Sequence, residues 1–303
     1  MRLIIISILL IFCSSHFAYS QDLEDLLDAE MEENKETEFV TAHFKGTHIV
    51  LAQSVENMAK NELNFIISHH FGTLNSGAYN LWGLDQSSIR LGFEYGLLDN
   101  LTIGVGRSSY NKLYDGNLKL KILRQSKGKK NMPISVSLFS NMVINSLEWA
   151  VPDRDNLFSS RLSYTFQMLL ARKFSPGFSV QITPTMIHRN LVKTTEDEND
   201  VFSIGVGSRL KLTKWISVNF EYFYLLPGKI ADDYENSLSL GFDLETGGHV
   251  FQIFLTNSHG MVEQAFITET AGKWSNGDIR LGFNITRVFS LGKNKTEEID
   301  EDF

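Results

Sequence analysis

From about residue 48 to about residue 290, bulky apolar residues recur at every second position. Ile89, Leu91, Phe93, Tyr95 and Leu97 alternate with Arg90, Gly92, Glu94 and Gly96. Leu162, Tyr164, Phe166, Met168 and Leu170 do the same, as do Phe202, Ile204 and Val206. Ile216 to Tyr224, Leu238 to Leu244 and Ile279 to Ile285 repeat the pattern. Successive side chains of an extended chain point to opposite faces. Each run is therefore a strand with one apolar face and one small, polar or charged face. Composition agrees, because 22 Phe and 22 Gly against five Pro suit strands better than helices. At 43% apolar residues, wholesale disorder is excluded.

The spacing predicts twelve strands: 62–72, 87–97, 100–108, 115–124, 133–146, 158–174, 177–190, 200–212, 215–225, 236–245, 249–257 and 277–289. Tight connections fall at Leu98-Asp99-Asn100, Ser175-Pro176-Gly177, Thr213-Lys214 and Thr246-Gly247-Gly248. Longer ones, such as 73–86 and 258–276, lie between them. Short turns at one end and long loops at the other define an antiparallel transmembrane β-barrel, with periplasmic turns and extracellular loops. Segments 48–57 and 264–270 would raise the count to fourteen. Strands of roughly 9–11 residues, tilted, cross the hydrocarbon layer. Tyr95, Phe174, Phe178, Trp215 and Phe289 suit one interface, and Phe71, Tyr222 and Tyr224 the other. A soluble sandwich or lipocalin-like barrel would turn its apolar face inward and vary residue size there. Here the apolar face is bulky in nearly every strand, and the opposite face carries glycines and charges of both signs.

The ends read differently. Met1-Arg2, the apolar run Leu3 to Cys13 and the small residues of Ala18-Tyr19-Ser20 form a secretory signal peptide, cut after Ser20. The run is shorter than the ~18 residues of a spanning helix. Cys13 is the sole cysteine and leaves with it, so no disulfide or thiolate chemistry is expected. Residues 21–47 form an acidic periplasmic segment, 48–290 the barrel and 291–303 a charged, mostly acidic tail. This places the chain in the outer membrane of a Gram-negative bacterium, among outer-membrane lipids. The acidic termini could engage a periplasmic protein, and the oligomeric state is not legible. The net charge of −8 argues against nucleic acid as a partner.

Several segments carry a more specific resemblance. They are Ile67-Ser68-His69-His70-Phe71-Gly72, Asn80-Leu81-Trp82-Gly83-Leu84-Asp85, Ile89 to Gly96 and Val105-Gly106-Arg107-Ser108-Ser109. His188-Arg189-Asn190-Leu191-Val192, Glu245 to Gln252 and Thr256-Asn257-Ser258 extend it. The chain resembles a β-barrel family of Bacteroidetes outer membranes, domain of unknown function 5777, over residues 45–290. The resemblance implies an outer-membrane barrel and brings no activity with it.

Chemical motifs are sparse. Gly104-Val105-Gly106 and Gly205-Val206-Gly207 lie inside strands, lack a third glycine and precede no helix, so they are not dinucleotide loops. Their expected role is to leave room on the inner face. His69 and His70 face opposite sides of one strand, and no histidine pair has helical zinc spacing. No metal, cofactor or catalytic residue is assigned. His188 and Asn190 suggest a barrel-wall lipid hydrolase, which we rank below a non-enzymatic role because a triad is a matter of geometry.

The strongest candidates are charges on the inner face: Arg90, Glu94, Lys119, Lys121, Arg209, Lys211, Glu221, Asp243, Glu245 and Arg280. The first reading is that they line a narrow porin-like channel for small solutes or amphiphiles; the alternative is a plugged structural barrel held rigid by ion pairs and presenting its loops and termini to partners. Lumen width decides between the two.

Overall fold

The alternation that makes one face of each segment apolar is retained residue by residue in the structure, a computed structural model that describes residues 36–149, 151–192, 194–195, 197–228, 234–246 and 249–291. Twelve long strands follow one another along the chain. They are β1 (Glu62–Thr73), β2 (Ser87–Leu98), β3 (Leu101–Ser108), β4 (Leu113–Leu123), β5 (Ser135–Asn145) and β6 (Leu162–Ser175). Then come β7 (Phe178–Arg189), β8 (Asp200–Lys211), β9 (Ile216–Leu225), β10 (Ser237–Thr246), β11 (His249–Thr256) and β12 (Arg280–Ser290). All twelve strands expected from the spacing are present.

Each strand pairs antiparallel with its sequence neighbours, and the last pairs with the first, so the sheet closes on itself. The closing ladder runs from Arg280 opposite Thr73 to Ser290 opposite Glu62, with one irregularity between Arg280 and Gly282. A closed barrel leaves no free edge, which allows a sheet to exist in hydrocarbon. In β2, Ser88, Arg90 and Glu94 are buried while Ile89, Leu91 and Phe93 are exposed on the outside. Val105, Phe166, Ile182, Phe202, Phe242 and Ile253 continue this exposed apolar belt around the wall. An apolar surface this extensive is untenable in water and suits a lipid surrounding. No helix among the described residues is long and apolar enough to cross a membrane. Phe174, Phe178, Trp215 and Phe289 lie exposed at the turn side, where an interfacial girdle was expected.

Two segments read as candidate extra strands are not in the wall. Residues 48–57 are folded as an irregular loop, and the stretch around 264–270 contains a short helix, α1 (Glu263–Thr268). The fourteen-strand alternative is therefore wrong. The reason is physical: neither segment has the period of two, and both are buried on every side, within the barrel. The wall begins at Glu62. Residues 41–61, divided in the sequence reading between periplasm and barrel, form one segment in front of it.

Described residues 36–40 and 125–133 belong to a second, small unit. In it Glu38 pairs with Lys127 and Phe39 with Ser126 in a two-residue ladder, and the Val40 amide donates to Gln125 O at 2.9 Å. This accounts for the length of the 124–133 connection. The signal peptide, the acidic stretch 22–35 and the tail from 292 lie outside the described residues.

Candidate functional site

The lumen is occupied. Residues 46–54 turn back on themselves, with the Ser54 amide donating to Thr47 O and the Ile49 amide to Ala52 O, each at 2.8 Å. Apart from one antiparallel bridge between His48 and Gln53 this arrangement is neither helix nor sheet, so most of its backbone polar groups need partners from elsewhere. Irregular backbone is tolerated at membrane depth only when it is buried in protein and satisfied there. The wall supplies those partners.

At the tip of this plug loop, the amides of Val50, Leu51 and Ala52 converge on the carboxylate of Glu221. They donate at 3.1, 3.0 and 3.1 Å. Three successive amides around one anion form a nest. At the base, the Lys119 ammonium makes the opposite arrangement. Its Nζ donates to the carbonyls of Thr47 at 3.0 Å, Ser54 at 3.1 Å and Glu56 at 2.9 Å. All three of its donors have an available acceptor.

Amides of the wall complete the attachment. Gln181 donates to Gln53 O at 2.8 Å and accepts from the Val55 amide at 2.8 Å. Gln252 donates to Ile49 O at 2.7 Å, and Asn284 to Val50 O at 3.0 Å. Ser137 donates to Val55 O, and Thr102 accepts from the Met58 amide, both at 3.0 Å. None of these five was among the sequence candidates. Their inward register was legible, but uncharged side chains were not weighed.

The ten predicted lumen charges divide by what they touch. Lys119 and Glu221 hold the plug backbone directly. Lys121 lies 3.4 Å from Glu56, Glu94 lies 3.8 Å from His48, and Glu245 pairs with Lys45, so these three also engage the plug. Asp243 accepts from Ser217 at 3.1 Å and from Gln252 at 2.6 Å, and Arg209 donates to Ser217 at 3.0 Å. That relay ends on the plug through Gln252. Arg90 instead pairs with Asp115 of β4 at 2.5 Å. Arg280 donates to Phe71 O at 3.1 Å. Lys211 is exposed at the end of β8, opposite Ser217 of β9. Asp115 was overlooked although it shares the register of Lys119.

On the plug itself, burial alone would raise the Glu56 carboxyl. Hydrogen bonds from the His43 ring and amide, with the nearby Lys121, outweigh it and hold that carboxyl at about 2. The His43 amide and Nδ1 reach Glu56 at 2.7 and 3.0 Å.

From the other end, the loop 258–276 enters the barrel. Every residue of α1 is buried. Glu263 accepts from Asn141 at 2.8 Å, and the Phe266 ring meets Phe223 edge-on at 5.3 Å. Phe266 and Ile267 join Ile49, Val50, Leu51 and Val55 in one apolar cluster with Phe139, Leu169, Ile187 and Phe254 of the wall. Burying such a side chain contributes roughly 1.5–3 kcal/mol. The void lined by Thr47, His48, Arg90 and Asn284 measures about 40 Å³, room for a few waters and no conduit.

The family described as "Membrane bound beta barrel domain" (DUF5777) matches residues 44–289, from the plug to the end of β12. The chain belongs to this family. The match takes in the plug as well as the wall. Among solved structures, the NanC porin aligns with a TM-score of 0.47 at 7% identity, over 75% of this chain and 98% of the porin. An outer membrane channel of Pseudomonas putida F1 aligns at 0.43 with 13% identity, over 78% and 98%. The outer membrane phospholipase A of Escherichia coli aligns at 0.41 with 12% identity, over 76% and 91%. At these values none informs substrate or chemistry. No curated protein is detectably related in sequence.

In this DUF5777 barrel the hydrolase candidate His188 lies near the end of β7. His188 Nδ1 lies 2.6 Å from Asp200, and the Tyr164 ring lies 6.3 Å away. Those are its ladder neighbours, and neither is a serine. Asn190 donates to Ser159 O at 2.8 Å and does not join the pair. Among the described residues, no group of three or more His, Cys, Asp or Glu could hold a metal ion.

Proposed function

We propose that this membrane-bound barrel resides in the outer membrane of a Gram-negative bacterium, delivered there by a cleaved signal peptide, and that its own chain keeps it closed. It acts through its two ends, with loops on one side and acidic terminal segments available to a periplasmic partner on the other. The observation that carries this reading is the plug. Withdrawing residues 46–55 would strand their backbone groups and wet an apolar cluster that includes wall residues Phe139, Leu169, Ile187 and Phe254. That cost weighs against a freely open pore.

The test is conductance of the refolded mature chain in a planar bilayer, with folding verified by heat-modifiable gel migration. A silent bilayer at neutral pH is expected. Discrete, salt-dependent steps would overturn the closed barrel.

A second reading is a narrow channel for small solutes, gated by the plug. It is favoured by the plug's place at one end of the barrel sequence, where residues 59–61 are its covalent link to the first strand of the wall. In that case Lys119→Met and Glu221→Gln together should raise conductance while the barrel stays folded. Hydrolysis is a third and weaker reading. Loss of lipid cleavage in His188→Ala would support it, and absence of cleavage by the parent chain removes it.

A further inference from the structure

The lumen charges are largely committed to the plug or to one another. One buried cation at the loop side is not. Arg189 ends β7 and is 6% exposed. Its Nη2 donates to Glu198 O at 2.8 Å, its amide donates to Asn199 O at 2.8 Å, and its carbonyl accepts from Asn199 Nδ2 at 2.5 Å. The backbone is thereby held on both sides. Its Nε is buried and has no hydrogen-bond partner among the described residues. A buried guanidinium N–H without a partner is unfavourable and uncommon.

Arg189 lines a cleft of about 300 Å³ together with Trp149, Ser160, Arg161, Ser163 and Gln264. Arg161 is fixed as well. Its Nη1 donates to Asn145 O at 2.7 Å and Leu147 O at 2.6 Å, and its guanidinium lies 3.9 Å from the centre of the Trp149 ring. Those two bonds use Nη1 alone. Two carboxylates also line the cleft. Glu269 is engaged by Gln264 at 2.7 Å and Asn111 at 3.3 Å, while Glu148 is exposed.

We infer that this loop-side cleft is a binding site for the carboxylate or phosphate group of a small soluble ligand, with Arg189 as the anion contact and Arg161 beside it. Guanidinium groups match the planar or trigonal faces of such oxyanions and form short, charge-assisted bonds with them. Both side chains are held in place before any ligand arrives, which lowers the ordering cost of binding. Trp149 and Leu162 offer an apolar surface to the body of the ligand, and the volume suits a molecule the size of a single sugar. The site does not depend on whether the barrel conducts, because it lies among the loops above the plug.

The experiment is calorimetric titration of the refolded mature chain in an uncharged detergent. Sodium glucuronate and inorganic phosphate are the probes, and glucose is the neutral control. At least one anion should bind at millimolar concentration or below, weaken with added salt and outcompete glucose. Arg189→Gln should lose about tenfold or more in affinity, and Arg161→Gln several-fold. Lys214→Gln, in a turn at the opposite end, should change nothing. If Arg189→Gln does not fold, Arg161→Gln decides by the same criterion. Absence of binding by the folded parent chain overturns the inference, and so does unchanged affinity in a folded Arg189→Gln. Binding confined to vesicles carrying phosphate lipids overturns it too, because the partner is then the membrane.

Discussion

An ammonium group has three N–H bonds, and at Lys119 all three are within reach of carbonyls of one short loop. Lys119→Met keeps the length of the stem and leaves those carbonyls buried without a charged donor. A loss of about 3 kcal/mol is expected, read as a lower unfolding temperature and faster proteolysis within 41–61. Glu56 adds a pH dependence with a defined sign. Its carboxyl falls from 4.5 to about 2 in the folded chain, so its contribution is complete above 4.5 and is lost as pH falls toward 2. That contribution amounts to about 3 kcal/mol at most. Glu56→Gln should remove the acid dependence in this window, measured by protease accessibility of the plug against pH. At this scale the sequence reading found the charges but not what they face. Charge and register are local properties. The partners of Lys119 and Glu221 are backbone atoms 65 and 170 residues away along the chain.

The twelve strands were legible because a period of two repeats over eight or more residues, and chance rarely sustains that. The plug was not. Ile49-Val50-Leu51 is a continuous apolar run, which reads as a short strand unless its surroundings are known. Helix α1 covers six residues and is too short to show a helical period. Glycines give a direct test of how closely plug and wall meet. A Cβ at Gly96 would lie 1.9 Å from the Ala59 carbonyl oxygen, whereas at Gly116 it would meet nothing within 4 Å. Both are strand glycines, so strand propensity alone predicts equal effects. Gly96→Ala should instead cost about 2–3 kcal/mol, while Gly116→Ala should be neutral or slightly stabilising, compared by thermal unfolding in detergent.

For the whole molecule, inside and outside are defined by contrast with water-soluble barrels. The outer face is apolar because lipid is the solvent. The inner face is polar because it receives an irregular backbone, with an apolar cluster at its centre. From the sequence a narrow channel comes first and a plugged barrel second, although the alternation is the same for both. What separates them is whether something fills the lumen, and no strand pattern records that. Closure also predicts a measurable cohesion. If the plug is integral to the fold, the barrel and residues 46–58 should unfold in one transition, seen as coincident loss of β-sheet signal and gain of proteolysis in the plug.

The seam between β12 and β1 has a consequence for biogenesis. Val50 is gripped by Asn284, a residue 234 positions later, and β12 is also the strand that shuts the cylinder. The stopper therefore has to be seated while the sheet is still an open trough, before the final staves meet. Translated early, it would wait at the nascent membrane protein's leading end and serve as a mandrel around which the later hairpins curl. A chain lacking 41–58 should then mature late, its compact electrophoretic form accumulating more slowly than that of the full chain, as expected when long-range contacts lose their early anchor.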